Sequence, residues 1–366
     1  MIKSKVAAIG LALIMTSGLA FADSEFSFTN KVSSDIVNIA KEGDSDTDST
    51  FAGIKNKTTF EFTSDKVDAM VELVFWSVKA PEDDNNDYFL LGASASEGAE
   101  AGYDFGDTFV EVRPFDFLGF EFHEKMWTSG SYFPIWDDNA SAGNIGSDLG
   151  AIISPVEGLK IAAGCDFGSL FGKGDYKPVV NFGAEYANEV FALGAAVRNI
   201  ADESVNPVST VDGIQFGVYG SFLKAEGLVL NAGFGYNTSV EPDVAAAGGG
   251  FINGNVFSLT GTYEKEAFHS ALDFATNFAD SDDMEYDFYL ALSAGYNVLE
   301  SLSLDCAFAT ALDAESDSDK KRDARFQVNP TLTYTLGNHE FSAGVNVFFG
   351  EDYTNVNFPV YWKYSL

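Results

Sequence analysis

The stretch Asp287-Phe288-Tyr289-Leu290-Ala291-Leu292-Ser293-Ala294-Gly295-Tyr296 alternates throughout. Phe288, Leu290, Leu292, Ala294 and Tyr296 fall on one side of an extended chain, and Asp287, Tyr289, Ala291, Ser293 and Gly295 on the other. Successive side chains of a strand point to opposite faces, so the segment predicts a strand with one apolar face. It also ends on an aromatic ring just before a short connection, and other segments do the same. Tyr186 precedes Ala187-Asn188-Glu189, Phe222 precedes Leu223-Lys224-Ala225-Glu226-Gly227, and Tyr263 precedes Glu264-Lys265-Glu266. Tyr334 repeats the pattern, Phe62 fits it, and Tyr364 lies just before the chain end. Such rings suit the border between hydrocarbon and headgroup, where tyrosine can keep its hydroxyl wet. Rings at the same end of successive hairpins predict one interface of a transmembrane antiparallel up-and-down β-barrel.

Working outward, the same alternation gives about 18 candidate strands. They lie near 25–37, 54–63, 67–79, 106–113, 118–124, 148–154, 159–167, 178–186, 190–198, 213–222, 228–237, 254–263, 267–276, 286–296, 302–311, 324–334, 339–348 and 356–366. Residues 88–96 are either a further strand or a hairpin within a loop, and an even total of about 16–18 is expected. Connections alternate in kind. Tight ones fall at 64–66, 114–117, 155–158, 187–189, 223–227, 264–266, 297–301 and 335–338. Long ones fall at 38–53, 80–105, 125–147, 168–177, 199–212, 238–253, 277–285, 312–323 and 349–355. Short turns on one rim and long loops on the other predict periplasmic turns and external loops. A soluble sandwich has no reason to segregate its loops in this way.

Composition agrees. The chain is 46% hydrophobic and 14% aromatic with 34 Phe, yet after the first 22 residues it has no apolar run near the length a membrane helix needs. A barrel shows only alternate residues to lipid, so its mean hydropathy averages out. The first 22 residues read as an export signal: Lys3 and Lys5, an apolar run from Val6 to Met15, and Ala20-Phe21-Ala22 before the cut after Ala22. Residues 23–366 form the barrel domain. The signal carries two of 21 basic residues and none of 55 acidic ones, leaving 19 against 55 and a formal charge of −36. This excludes nucleic acid as a partner and suits attraction of cations. Cys165 and Cys306 fall in the apolar registers of distant strands and are expected to be unpaired.

The last strand alternates Phe358, Val360, Trp362, Tyr364 and Leu366 against Asn357, Pro359, Tyr361, Lys363 and Ser365. Here the sequence resembles the bacterial outer-membrane barrel proteins, whose final strand is read by the barrel assembly machinery and most often ends in Phe or Trp. Within that group it resembles the porins. The resemblance implies outer-membrane lipid as surroundings, small hydrophilic solutes or cations as cargo, no cofactor, and compatibility with a homo-oligomer. In many porins the loop after the fifth strand folds into the barrel. The corresponding segment, 125–147, carries Trp127, Tyr132, Phe133 and Trp136. It either folds inward or packs on itself outside.

The inward registers offer Lys31, Lys55, Lys57, Glu61, Asp68, Glu72, Glu111, Arg113, Glu121, His123 and Lys125, then Lys160, Glu185, Arg198, Asp273, Asp305, Arg325 and Lys363. Mixed charge on a lumen wall sets a transverse field across a solute path. By resemblance to porins, a basic wall of Lys55, Lys57 and Arg113 would face Asp137 and Asp138 across a constriction. The alternative is that these side chains merely solvate one another. Catalysis finds no support: His269 and Ser270 point to opposite faces, and no metal spacing, phosphate loop or Gly-x-Ser-x-Gly occurs. The expectation is a passive, cation-preferring channel. An adhesin mounted on a closed barrel is the alternative. A plugged transporter is disfavoured because the first strand begins at Glu25, leaving no residues for an N-terminal plug.

Overall fold

The computed structural model describes residues 24–42, 48–50, 54–76, 102–122, 132–133, 138–139, 149–166, 179–200, 214–238, 256–277, 286–313, 324–350 and 353–366. Its strands are β1 (Glu25–Glu42), β2 (Lys55–Thr63), β3 (Val67–Trp76), β4 (Gly102–Phe115), β5 (Leu118–Phe122) and β6 (Leu149–Val156). Next come β7 (Leu159–Asp166), β8 (Val179–Ala187), β9 (Phe191–Ile200), β10 (Gln215–Ala225), β11 (Leu228–Asn237) and β12 (Val256–Lys265). The wall is completed by β13 (Phe268–Asn277), β14 (Tyr286–Leu299), β15 (Leu302–Asp313), β16 (Ala324–Leu336), β17 (His339–Gly344 and Asn346–Phe349) and β18 (Tyr353–Ser365). Each strand pairs antiparallel with its sequence neighbours, and β18 pairs with β1, which closes an 18-strand barrel. The expected fold class holds, with the strand number at the upper end of its range. A short strand, Asp48–Thr50, adds to β1, and Tyr132–Phe133 pairs with Asp138–Asn139.

Local chemistry explains the irregularities. The break in β17 at Val345 falls opposite Pro330 of β16 and just after Gly344, which faces Pro359 of β18, and neither proline can donate to a ladder. Pro359 also pairs with Asp35, where the register of β1 slips between Asp35 and Asn38. At one rim the turns are two residues long (Asp116-Phe117, Glu157-Gly158, Glu226-Gly227, Glu266-Ala267, Glu300-Ser301, Gly337-Asn338) or three (Ser64-Asp65-Lys66, Asn188-Glu189-Val190). Gly227 has a φ of +71°, and a Cβ there would run into the Glu264 carbonyl of the adjoining hairpin, so only glycine serves. In return the Gly227 carbonyl accepts from the Glu264 N–H at 2.7 Å, tying neighbouring hairpins together.

The outer face is apolar. Leu292 and Tyr296 of β14 are 47% and 55% exposed, whereas Tyr289 and Ala291, in the alternate register, point inward and are buried. Near the turn rim the outer rings touch across strands: Tyr186 and Phe191 at 6.1 Å, Tyr263 and Phe268 at 6.3 Å, Phe28 and Tyr364 at 6.3 Å. Phe222, Tyr296 and Tyr334 stand in the same outer register, all exposed. A second belt occupies the loop end, with Phe274 at 5.5 Å from Phe288 and Phe326 at 5.3 Å from Phe349. On β14 the belts are eight residues apart, or about 20 Å along a tilted strand, close to the height of an apolar membrane band. Cys165 and Cys306 are free, on β7 and β15.

Candidate functional site: the inner wall

The closure between β18, β1 and β2 decides the charge of the lumen. Lys31 lies directly opposite Lys57 on β2 and directly opposite Lys363 on β18, so three lysines form one rung across three strands, all on the inner face. Like charges directly opposite repel. The wall offsets this with Glu72, whose Oε2 is 2.7 Å from Lys57 Nζ, and with the Tyr361 ring, 4.4 Å below Lys31 Nζ. Glu340 of β17 stands opposite Lys363 and accepts the Tyr361 hydroxyl at 2.7 Å. Lys55, at the loop end of β2, stands opposite Ser33. Each of these lysines is visible in the sequence as an inward residue, but the rung is not, because it exists only once the chain's ends are paired in register.

Arg113 sits elsewhere. It lies two residues before β4 ends, next to the turn rim, whereas Lys55 opens β2 at the loop rim. Its Nη1 is 2.6 Å from Asp68 and 3.1 Å from Glu111, and its Nη2 and Nε donate to the carbonyls of Ser64 and Asp65. The guanidinium therefore clamps the β2–β3 turn. Just outside, Lys66 and Asp116 join two turns at 2.8 Å, and this pairing raises the Lys66 pKa and holds the Asp116 carboxyl below its ordinary value. The structure thus unites Lys55 and Lys57 but separates them from Arg113. Asp138 belongs to the two-residue strand Asp138–Asn139, and Asp137, His123 and Lys125 lie outside the described residues.

Across the barrel the inner wall uses glycine to let side chains meet over a strand. Glu185 of β8 and Tyr219 of β10 hydrogen-bond above Gly194, and His269 of β13 pairs with Asp305 of β15 above Gly295. A Cβ at either glycine would collide with the bridging pair. Nearer the loop rim, Asp273 and Ala275, Tyr289 and Ala291, Ala309 and Ala311, Gln327 and Phe348 have no exposure at all. Asn355, Asn357 and Asp35 continue this covered belt at 1% each, and Gln327 donates to Asn346 at 2.6 Å. Among the described residues no cluster suits a metal ion.

A closed, 18-strand antiparallel barrel with an apolar exterior, two aromatic belts and a polar, ion-paired interior is the fold of the outer-membrane porins. The BenF-like porin from Pseudomonas fluorescens Pf-5 matches with a TM-score of 0.60 at 11% identity, covering 94% of this chain and 99% of that one. Acinetobacter baumannii OccAB4 matches at 0.57 and 10% identity, covering 93% and 98%. Pseudomonas aeruginosa OprD matches at 0.51 and 13% identity, covering 94% and 96%. No family model and no curated protein sequence matches the chain.

Proposed function

We propose that this protein is an outer-membrane channel for passive diffusion of small hydrophilic solutes. The observation that carries the reading is the inner wall, a continuous polar and charged surface inside a barrel of the strand number that leaves an aqueous lumen in porins. The short turns face the periplasm and the long loops the outside. The outer tyrosines near the turn rim (Tyr186, Tyr263, Tyr296, Tyr334 and Tyr364) and Phe222 mark the inner-leaflet interface of that membrane. The covered belt on β13 to β18 and β1 supports a lumen narrower than its wall, and segment 125–147 is the part of the chain assigned to narrow it. Acidic loops, including Asp44, Asp46, Asp48, Asp313, Asp317 and Asp319, draw cations to one mouth and give the channel a cation preference.

Proteoliposome swelling tests the channel. Vesicles carrying the protein should swell in small sugars and amino acids at rates that fall with solute size, and deleting 125–147 should raise the rate for the larger solutes. Absence of swelling, with the barrel correctly inserted, would favour the adhesin reading.

A further inference from the structure

His269 is built into the turn-rim end of the inner wall. It is the second residue of β13 and Asp305 the fourth of β15, so both lie just inside the turns Glu266-Ala267 and Glu300-Ser301. Its Nε2 meets Asp305 Oδ1 over Gly295, which stands opposite both residues, and Ser303 Oγ donates to Asp305 Oδ2. The imidazole and the carboxylate are each 35% exposed, so neither is sealed in the wall. A Cβ at position 295 would collide with both of them, so glycine is what lets the pair form. Of the other two histidines, His339 faces outward opposite Tyr364, and His123 lies outside the described residues.

A carboxylate only accepts hydrogen bonds, so Nε2 carries its proton whether the ring is neutral or charged. Titration therefore takes place at Nδ1, which bonds to no described group. Histidine is the side chain that ordinarily gains or loses a full charge between about pH 5 and 8. The surroundings of this one are one-sided. Glu264 of β12 stands directly opposite, β15 supplies Asp305 and Ser303, and β14 contributes Gly295. Glu266 and Glu300 lie in the adjoining turns, and Lys265 belongs to the outer register. From β11 to β15, His269 is the one described inner side chain that can carry positive charge. With a neutral ring, the group of Glu264, His269 and Asp305 carries two negative charges, and a proton on Nδ1 leaves one.

We propose that His269 is a specificity-determining residue of the channel: protonation at Nδ1 halves the negative charge of this group at the turn-rim mouth and moves permeability from cations toward anions. This role presupposes that the lumen conducts.

Reversal potentials of the purified protein in planar bilayers, under a salt gradient, test it across that pH range. At low salt the cation-to-anion permeability ratio of the unaltered protein should fall about two- to fivefold on acidification, because a single charge is then little screened, and by less at high salt. His269→Gln should hold the ratio near its alkaline value at every pH in the range, and His269→Lys near its acidic value. Variants that both follow the pH curve of the unaltered protein would overturn the proposal. A flat curve in the unaltered protein, or a ratio that rises on acidification, would do the same. If one variant fails to insert, the other decides alone. Absence of conductance in every form, with heat-modifiable barrels inserted, would overturn the channel reading itself and this role with it.

Discussion

The wall at the chain's closure and the wall across from it present their charges differently. On β18, β1 and β2 the inner face holds Lys363, Lys31, Lys57 and Lys55 beside Glu61 and the buried Asp35, with Glu72 and Glu340 on the flanking strands. From β8 to β15 the charged inner side chains among the described ones are Glu185, Glu264, His269, Asp273 and Asp305, with the histidine spent on Asp305, and Arg198 of β9 falls in the same inner register. One wall therefore leaves cationic head groups near water, Lys57 being 43% exposed, while the other keeps Glu185, Asp273 and Asp305 buried or paired and exposes only Glu264, at the turn rim. A field across the lumen follows from this difference, and its direction is set by where the two chain ends meet.

The comparison breaks most completely if the closure itself is lost. Replacing Trp362 and Tyr364 with Asp should abolish insertion, because both point to lipid on the strand that seals the barrel. Each charge costs up to a few kcal/mol in the band, less near the interface, and the altered strand should no longer be recognised for assembly. A normal heat-modifiable barrel after both changes would contradict this. Next in size is Arg113→Ala, which leaves Asp68 and Glu111 facing each other without their cation. With the guanidinium 27% exposed and water nearby, the expected loss is about 1–3 kcal/mol, read as a lower unfolding midpoint in detergent. Arg113→Lys should not restore it, since lysine cannot serve two carboxylates and two carbonyls at once.

The field is sharpened by Lys31→Glu with Lys363→Glu. Reversing the rung should move the reversal potential under a salt gradient toward stronger cation selectivity, with the larger shift at low ionic strength. No shift would mean that ions do not pass this wall. The smallest effect belongs to Asp116→Asn. Asp116 has a lowered pKa when folded, so its pairing with Lys66 helps above the ordinary carboxylate range and is lost as pH falls through the folded value. Both groups are in water, and the midpoint at neutral pH should not change measurably.

Much of this was legible because a strand's period is two and lipid tolerates few polar residues. All 18 strands fall where alternation puts them, and β11 matches its expected limits residue for residue. Boundaries moved where ladder pairing outruns hydrophobic pattern. Leu223 to Ala225 belong to β10 because a register slip before Leu228 lets the strand continue to a two-residue turn, and β1 runs on to Glu42 because β18 stays beside it. Hydropathy could not show either. Nor could it show the lysine rung, the pairs bridging Gly194 and Gly295, or the second aromatic belt, all of which depend on neighbours distant in sequence or on register. The pairing of Asp137 and Asp138 with the basic wall rested on a loop of which Asp137 and most other residues lie outside the described ones.

Single-channel recording of the purified protein in planar bilayers tests the central claim most directly. The account predicts discrete, lasting conductance steps that favour cations at low salt and lose part of that preference at high salt, as screening shortens from about 30 Å at 0.01 M to about 3 Å at 1 M. Inserted, heat-modifiable protein that produces no conductance steps would contradict it.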